Sequence, residues 1–274
     1  MVQGRRLTER FGRYGFKMAV VLCMLFIIMP LLLVCWLSVF SNTIMSMPPQ
    51  GYSLKWYGEM LRQPQFISGL VNSALIAAGA TVGGLVLTLP ASFALARLRF
   101  RGRDTVLQFL MLPLIVPAIV IGSALYMMFV AVEISTGVPL TGSIWGLTIG
   151  HILLTIPWSV RLVTANLIGV NPAIEEAALS LGATPFVTAM KITLPNIWPG
   201  LVAAALFSFV ISFSNLEVSM FLVSAGETTL PIAVLQYLQW KIDPTVAAIS
   251  VLQIVVVGTG LMLTNRFISL TKAV

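Results

Sequence analysis

The chain has 274 residues, of which 58% are hydrophobic and only 9% are charged. Soluble domains carry about 25% charged residues, so this composition excludes a surface wetted on all sides and makes the lipid bilayer the natural solvent. The net charge of +7 does not mark a nucleic-acid partner, because the basic residues lie in short segments between apolar runs rather than in one patch.

Arg5, Arg6, Arg10, Arg13 and Lys17 precede an apolar stretch over about 18–40. It is longer than the roughly 7–15-residue core of a signal peptide and lacks a small-x-small cleavage site, so it reads as a first membrane span. Cys23 and Cys35 share this stretch. On one helix they stand roughly 18 Å apart, beyond the ~7 Å reach of a disulfide. The segment after it, 41–65, contains a predicted short surface helix at 54–61, with Trp56 and Tyr57 suited to the interface.

Five further apolar runs follow, at about 68–96, 105–131, 143–164, 199–223 and 245–268. Each approaches the ~20 residues that cross a bilayer as a helix. The second run is opened by Asn72-Ser73 and carries Gly79 and Gly83 at a spacing that permits close helix packing. The third contains Pro113 and Pro117, and the fourth contains Pro157-Trp158; each proline is either a mere kink or a break satisfied by neighbouring helices. With the N-terminus inside, thirteen of the sixteen Lys and Arg residues face the cytoplasm, and only Lys55, Arg62 and Lys241 lie outside. The positive-inside rule thus places both termini in the cytoplasm. The expected fold is an all-α integral membrane protein with six transmembrane helices, forming a single domain over 1–274.

The cytoplasmic segment 165–198, between the fourth and fifth runs, carries the most information. Asn171-Pro172 is a helix start, with Glu175 and Glu176 near the positive end of its dipole. Gly182 is a left-handed stop. Thr184-Pro185 opens a second short helix, which Pro195 is expected to end. The two helices would form a compact elbow beneath the membrane.

Glu176-Ala177-Ala178, Gly182 and Ile192-Thr193-Leu194-Pro195 together read E-A-A-x3-G-x9-I-x-L-P without a gap. This resembles the cytoplasmic "EAA" loop in the permease subunits of type I ABC importers. The resemblance implies that Glu175, Glu176, Ala177, Ala178, Gly182, Ile192, Leu194 and Pro195 belong to a pair of coupling helices docking onto a separate ATPase. The chain has no G-x4-G-K-[S/T] phosphate loop, so it is expected to be a transport subunit without catalytic residues or cofactor. ATP and magnesium would sit on the partner ATPase. The resemblance further implies a second permease subunit (a sister chain rather than a copy), two ATPase subunits, an external solute-binding protein and a bacterial-type inner membrane.

Asn72-Ser73 resembles the Asn-Ser/Thr entry common in these permeases, and the basic N-terminal cluster, Ser212-Phe213-Ser214-Asn215 and Thr229-Leu230-Pro231 are similar to the shorter permease of spermidine/putrescine-type importers. Relatives of this type handle polyamines, opines, aminophosphonates and other small charged solutes. Several polyamine permeases carry acids near the position of Ser214-Asn215, where this chain is neutral.

Glu217 is the one acid well inside an expected span, and an intramembrane carboxylate is a functional hypothesis by default. On a helical wheel Ser208, Ser212, Asn215 and Ser219 form one stripe and Glu217 falls opposite. Both faces can line one path only if the helix unwinds between them. The stripe is then a packing seam or a path, and Glu217 meets a cationic group, pairs with a partner subunit or reaches outer water. Phe213, Asn215, Glu217 and Tyr126 are the candidate pathway residues. Trp145 is a stacking or interface aromatic. His151, the single histidine, is a packed hydrogen-bonding group or a proton or substrate contact; no metal-ligand cluster is visible. An ion-gradient transporter is the competing reading, and it would require charged midplane sites and often an internal repeat.

Overall fold

In the computed structural model the backbone is described for residues 2–44, 48–224 and 227–271, and the side chains for 15–44, 48–224 and 227–262. Arg5, Arg6, Arg10, Arg13, Arg266 and Lys272 therefore lie outside the described side chains. Among the described residues the regular structure is helical, apart from an isolated antiparallel bridge between Phe40 and Tyr52. In chain order the helices are α1 (Val2–Leu37), α2 (Lys55–Arg62), α3 (Pro64–Arg97), α4 (Arg103–Leu110), α5 (Leu112–Ile115), α6 (Ala118–Thr136) and α7 (Ile144–Gly169). There follow α8 (Pro172–Ser180), α9 (Pro185–Thr188), a π-helical turn (Ala189–Thr193), α10 (Leu194–Asn196) and α11 (Trp198–Phe213). The chain continues through α12 (Glu217–Leu222), α13 (Leu230–Trp240) and α14 (Thr245–Thr271).

Among the described residues, five helical segments are long and apolar enough to cross a membrane: Gly15–Leu37, Pro64–Arg97, Ala118–Thr136, Ile144–Gly169 and Thr245–Met262. A sixth arises if Pro185–Asn196 and Trp198–Phe213, which meet at a 75° bend, count as one span. Helices are the structures that satisfy every backbone group internally in lipid.

The chain divides into two compact units. The larger comprises Gln63–Gln236 with Val255–Val274, and its centre is the packing of α3, α7 and α11 on one another. Lipid offers little hydrophobic drive to such packing, so close approach and dispersion must hold it. Small residues make that approach possible: a Cβ on Gly83 would stand 2.6 Å from Ile152 Cδ1. One apolar cluster gathers Ile76, Ile121, Phe129, Leu147, Leu154, Val218 and Leu222. Another, further along α7, gathers Val163, Leu167, Ile197 and Ala204.

The other unit comprises Met1–Arg62 with Tyr237–Ile254. Here α2 forms where a surface helix was expected, but Trp56 is buried rather than interfacial. Its indole donates to Phe40 O at 2.6 Å, which satisfies the N–H that burial would otherwise strand. In α1, Phe26, Ile27 and Met18 are exposed, as the apolar surface of a lipid-facing helix would be.

Two expected spans are interrupted. The run over 105–131 is divided into α4, α5 and α6. Proline explains the division: Pro113 lies in the first turn of α5 and Pro117 caps α6. Val116, before Pro117, is extended at φ −77° and ψ 130°, the conformation that proline steers its predecessor into. Pro157, by contrast, stays buried within an unbroken α7. The run over 199–223 stops at Phe213 and resumes at Glu217. No proline acts there. Ser214 Oγ donates back to Val210 O at 2.6 Å, and Asn215 Oδ1 accepts from the Val218 amide at 3.0 Å. Short polar side chains thereby compete with the backbone ladder and restart the helix.

Candidate coupling loop and translocation elements

The elbow between α7 and α11 is built from local capping. Asn171 Oδ1 accepts from the Ala173 amide at 3.1 Å, and Thr184 Oγ1 accepts from the Val187 amide at 3.3 Å. Both caps stand where the sequence predicts them. At the end of α8, the Ala183 amide donates to Ala178 O at 3.1 Å and the Gly182 amide donates to Leu179 O at 3.0 Å. That pair is a Schellman stop, and it requires the φ of +88° that Gly182 adopts.

Pro195 does not end the second helix. The π-helical turn precedes it and α10 contains it, so helix continues to Asn196. A proline removes one donor and crowds the carbonyl four residues back, and an inserted residue is a recurrent way of relieving that clash. The Asn196 amide group donates to Ile192 O at 2.8 Å. The 75° bend follows at Ile197, so the elbow runs directly into α11.

The two acids of the elbow part company. Glu175 is turned inward: Arg97 Nε donates to its Oε2 at 2.8 Å and Arg97 Nη2 to its Oε1 at 3.1 Å. Thr193 Oγ1 also donates to Oε1 at 2.8 Å, and Arg97 Nη2 reaches Val170 O at 3.2 Å. One carboxylate therefore ties together the end of α3, the start of α8 and the π-helical turn. Arg97 reads from sequence only as a topology determinant, and Thr193 carries no separate signal. Glu176 and Ala177 are exposed, while Ala178 is buried and faces the protein. Ile192 and Leu194 are half-buried and Pro195 is exposed. At the tip, Leu181 is 90% and Phe186 is 73% exposed, an apolar pair that the motif does not include.

At the interrupted fifth span, His151 of α7 is buried. Its Nδ1 lies 2.7 Å from Ser212 Oγ and its Nε2 lies 3.0 Å from Ser219 Oγ. The two serines stand on opposite sides of the break, so one imidazole bridges α11 and α12. Ser159 and Ser208 hydroxyls pair at 2.9 Å in the same seam. The serine stripe is thus a packing seam against α7, and its Ser214–Leu216 interval is unwound. Phe213 is buried and stacked on Phe209 at 5.5 Å, which removes it from any open path within this chain. Asn215 is half-buried; its Nδ2 lies 3.3 Å from Glu217 Oε2. Glu217, Tyr126 and Trp145 are exposed.

α12 is seated on glycines: a Cβ on Gly122 would meet Phe221 Cδ2 at 2.8 Å and Val218 Cα at 3.1 Å. The α6–α7 turn holds its far end, the Gly142 amide donating to Leu222 O at 3.0 Å. Glu133, which carries no sequence signal, accepts from the Leu140 and Thr141 amides and from Thr141 Oγ1 and so closes that turn. Asn72-Ser73 and Thr229-Leu230-Pro231 prove to be partners. Asn72 Nδ2 donates to Thr228 O at 3.0 Å and Glu227 Oε2 at 3.1 Å, and Ser73 Oγ accepts from the Leu230 amide at 2.8 Å. An orphan amide at the start of α13 is thereby satisfied from α3.

These features define a multi-pass helical membrane protein whose fifth span is interrupted and whose elbow between α7 and α11 is held by local caps. Residues 84–269 match the family model described as the binding-protein-dependent transport system inner membrane component. The chain belongs to that family: it is a permease subunit of an ABC importer, a transport subunit of the inner membrane without an ATPase of its own. It is 32% identical to the putrescine transport system permease protein PotI of Escherichia coli K12 over 76% of this chain and 74% of that one. With the spermidine/putrescine permease PotC of Haemophilus influenzae it shares 30% over 75% and 78%. A bacterial alginate ABC transporter solved with an alginate-bound periplasmic protein has the same fold, with a TM-score of 0.73, 16% identity, and coverage of 96% and 95%. The MetNI methionine ABC transporter matches at a TM-score of 0.60 and 19% identity, over 74% and 94%. Family membership sets the ion-gradient alternative aside.

Proposed function

We propose that the chain acts as one permease domain over 1–274, forms half of an import path for a small cationic solute of the polyamine type, and is driven through its 172–195 elbow by a separate ATPase. The observation that carries this reading is mechanical continuity. The elbow is locked to α3 through Glu175, runs into α11 at a 75° bend, and ends at the break beside Glu217. A push on the elbow would reach that break across the bend at Ile197 and along α11. Leu181 and Phe186 offer the apolar contact that a partner groove would cover, with Glu176 beside them.

Solute class follows from charge and kinship. Glu217 is an exposed carboxylate at the start of α12, just past the break, and among the described residues ion pairs are formed by Arg62–Glu59 and Arg97–Glu175. That carboxylate is open to a solute or a partner, and the putrescine and spermidine/putrescine permeases favour a solute amine. The cytoplasmic placement of both termini rests on the Lys and Arg asymmetry. A second, sister permease, two ATPase subunits binding ATP and magnesium, and an external binding protein complete the machine; this chain itself holds no cofactor.

The test is a mild-detergent pull-down with mass analysis of stoichiometric partners, followed by reconstitution with labelled putrescine. An ATPase that co-purifies and is lost when 176–195 is scrambled supports the coupling role. ATP-dependent transport of an anionic solute in place of putrescine would overturn the solute class and leave the coupling role standing.

A further inference from the structure

A polar cavity of about 510 Å³ lies where the end of α3 meets the start of α8, lined among others by Arg97, Arg99, Arg103, Glu175 and Glu176. A second of about 410 Å³ adjoins it on Arg99 and Arg103, with Asp104 as its acid. Arg97 is spent on Glu175. Counted together, the two cavities set Arg97, Arg99 and Arg103 evenly against Glu175, Glu176 and Asp104. Arg101, exposed on the same turn, adds to the positive side.

α4 begins at Arg103 and leads from these cavities to an apolar one of about 270 Å³ bounded by Leu110, Pro113, Val116, Ile121, Leu153 and Ile156. This cavity exists because the prolines interrupt the third span. Arg103, Leu107 and Leu110 are the partly covered residues of α4 and share one face at i, i+4 and i+7 spacing. Seven residues separate its ends, about 10 Å along the axis. Arg103, the α4 member of a basic cradle, thus stands about 10 Å along one helix face from an apolar slot, in a membrane protein. We infer that this is a binding site for an anionic phospholipid, the phosphodiester on Arg99 and Arg103 and an acyl chain in the slot formed by the α4–α6 break. Basic cavities between spans recognise acidic headgroups in this way. The inference needs neither the proposed solute nor the proposed orientation, since it uses only charge, cavity shape and the bilayer.

The test is native mass spectrometry of the purified full chain, presented with phosphatidylglycerol or phosphatidylcholine at equal concentration. Selective retention of phosphatidylglycerol is expected. It should weaken about thirtyfold in Arg99→Ala/Arg103→Ala, since each basic residue near an acidic surface contributes to such binding. Leu110→Trp, which fills the slot without touching charge, should also weaken retention, whereas soluble glycerol phosphate should compete poorly. Equal retention of both lipids would overturn the inference. So would full competition by glycerol phosphate with no effect of Leu110→Trp, which would leave a free-phosphate site. Near-native circular dichroism of both variants separates loss of the site from loss of the fold.

Discussion

Arg97 and Glu175, on the last turn of α3 and the first turn of α8, form a two-pronged ion pair at 2.8 and 3.1 Å with side chains only 18% and 15% exposed. The loop that a partner ATPase would push is thereby fastened to a different span from the one it leads into. Removing either partner leaves a largely covered charge with its hydrogen bonds unmade, which costs about 2–4 kcal/mol. Arg97→Ala and Glu175→Ala should each lower the thermal midpoint in detergent and reduce ATP-driven uptake. Thr193→Ala should do the same more weakly. Single variants with wild-type midpoints and wild-type uptake would show that the pair is idle.

Gly182 makes a sharper case because space and backbone give opposite answers. A Cβ there meets nothing within 4 Å, yet φ is +88°. The strain on an ordinary residue is about 1–2 kcal/mol, and asparagine tolerates the conformation best. Uptake should therefore fall in the order Gly182→Asn, Gly182→Ala, Gly182→Val, while membrane insertion stays constant. If all three transported normally, the stop would have no part in coupling.

His151 satisfies two serine hydroxyls across the unwound interval of the fifth span. His151→Ala leaves the Ser212 hydroxyl buried without that partner, at roughly 1–3 kcal/mol, while Ser219 Oγ keeps its bond to Asn215 O at 2.9 Å. His151→Gln keeps a donor and an acceptor and should retain more stability. Unfolding of the purified variants in graded detergent reads this order; equal stability of the two would show that the imidazole is mere filling.

Glu217 is exposed, so Glu217→Gln should change stability by no more than about 0.5 kcal/mol. Loss of a charged contact to a solute amine should raise the KM for putrescine about tenfold or more. An unchanged KM would remove this residue from the path.

Local signals in the sequence carried far. The caps at Asn171 and Thr184 and the stop at Gly182 are decided within a few residues, so they stand where side-chain chemistry places them. Spans are legible for the same reason: a run of about 20 apolar residues in lipid has the helix as its resolved form. What misled was also local. Proline at 195 reads as a stop, but a preceding π-helical turn absorbs it; Trp56 reads as an interface residue, but a carbonyl 16 positions away receives its N–H.

Sequence alone therefore determined that the chain spans a membrane and carries a capped elbow, because composition and short-range signals suffice for both; the permease reading rested on the resemblance of that elbow to the EAA loop. Only the tertiary structure decided what that elbow holds and where the fifth span opens. Glu175 meets Arg97 across 78 positions, and His151 meets Ser212 and Ser219 across 61 and 68. No periodicity links such pairs. They form because helices packed closely through small residues bring a buried polar group to the one partner that can satisfy it.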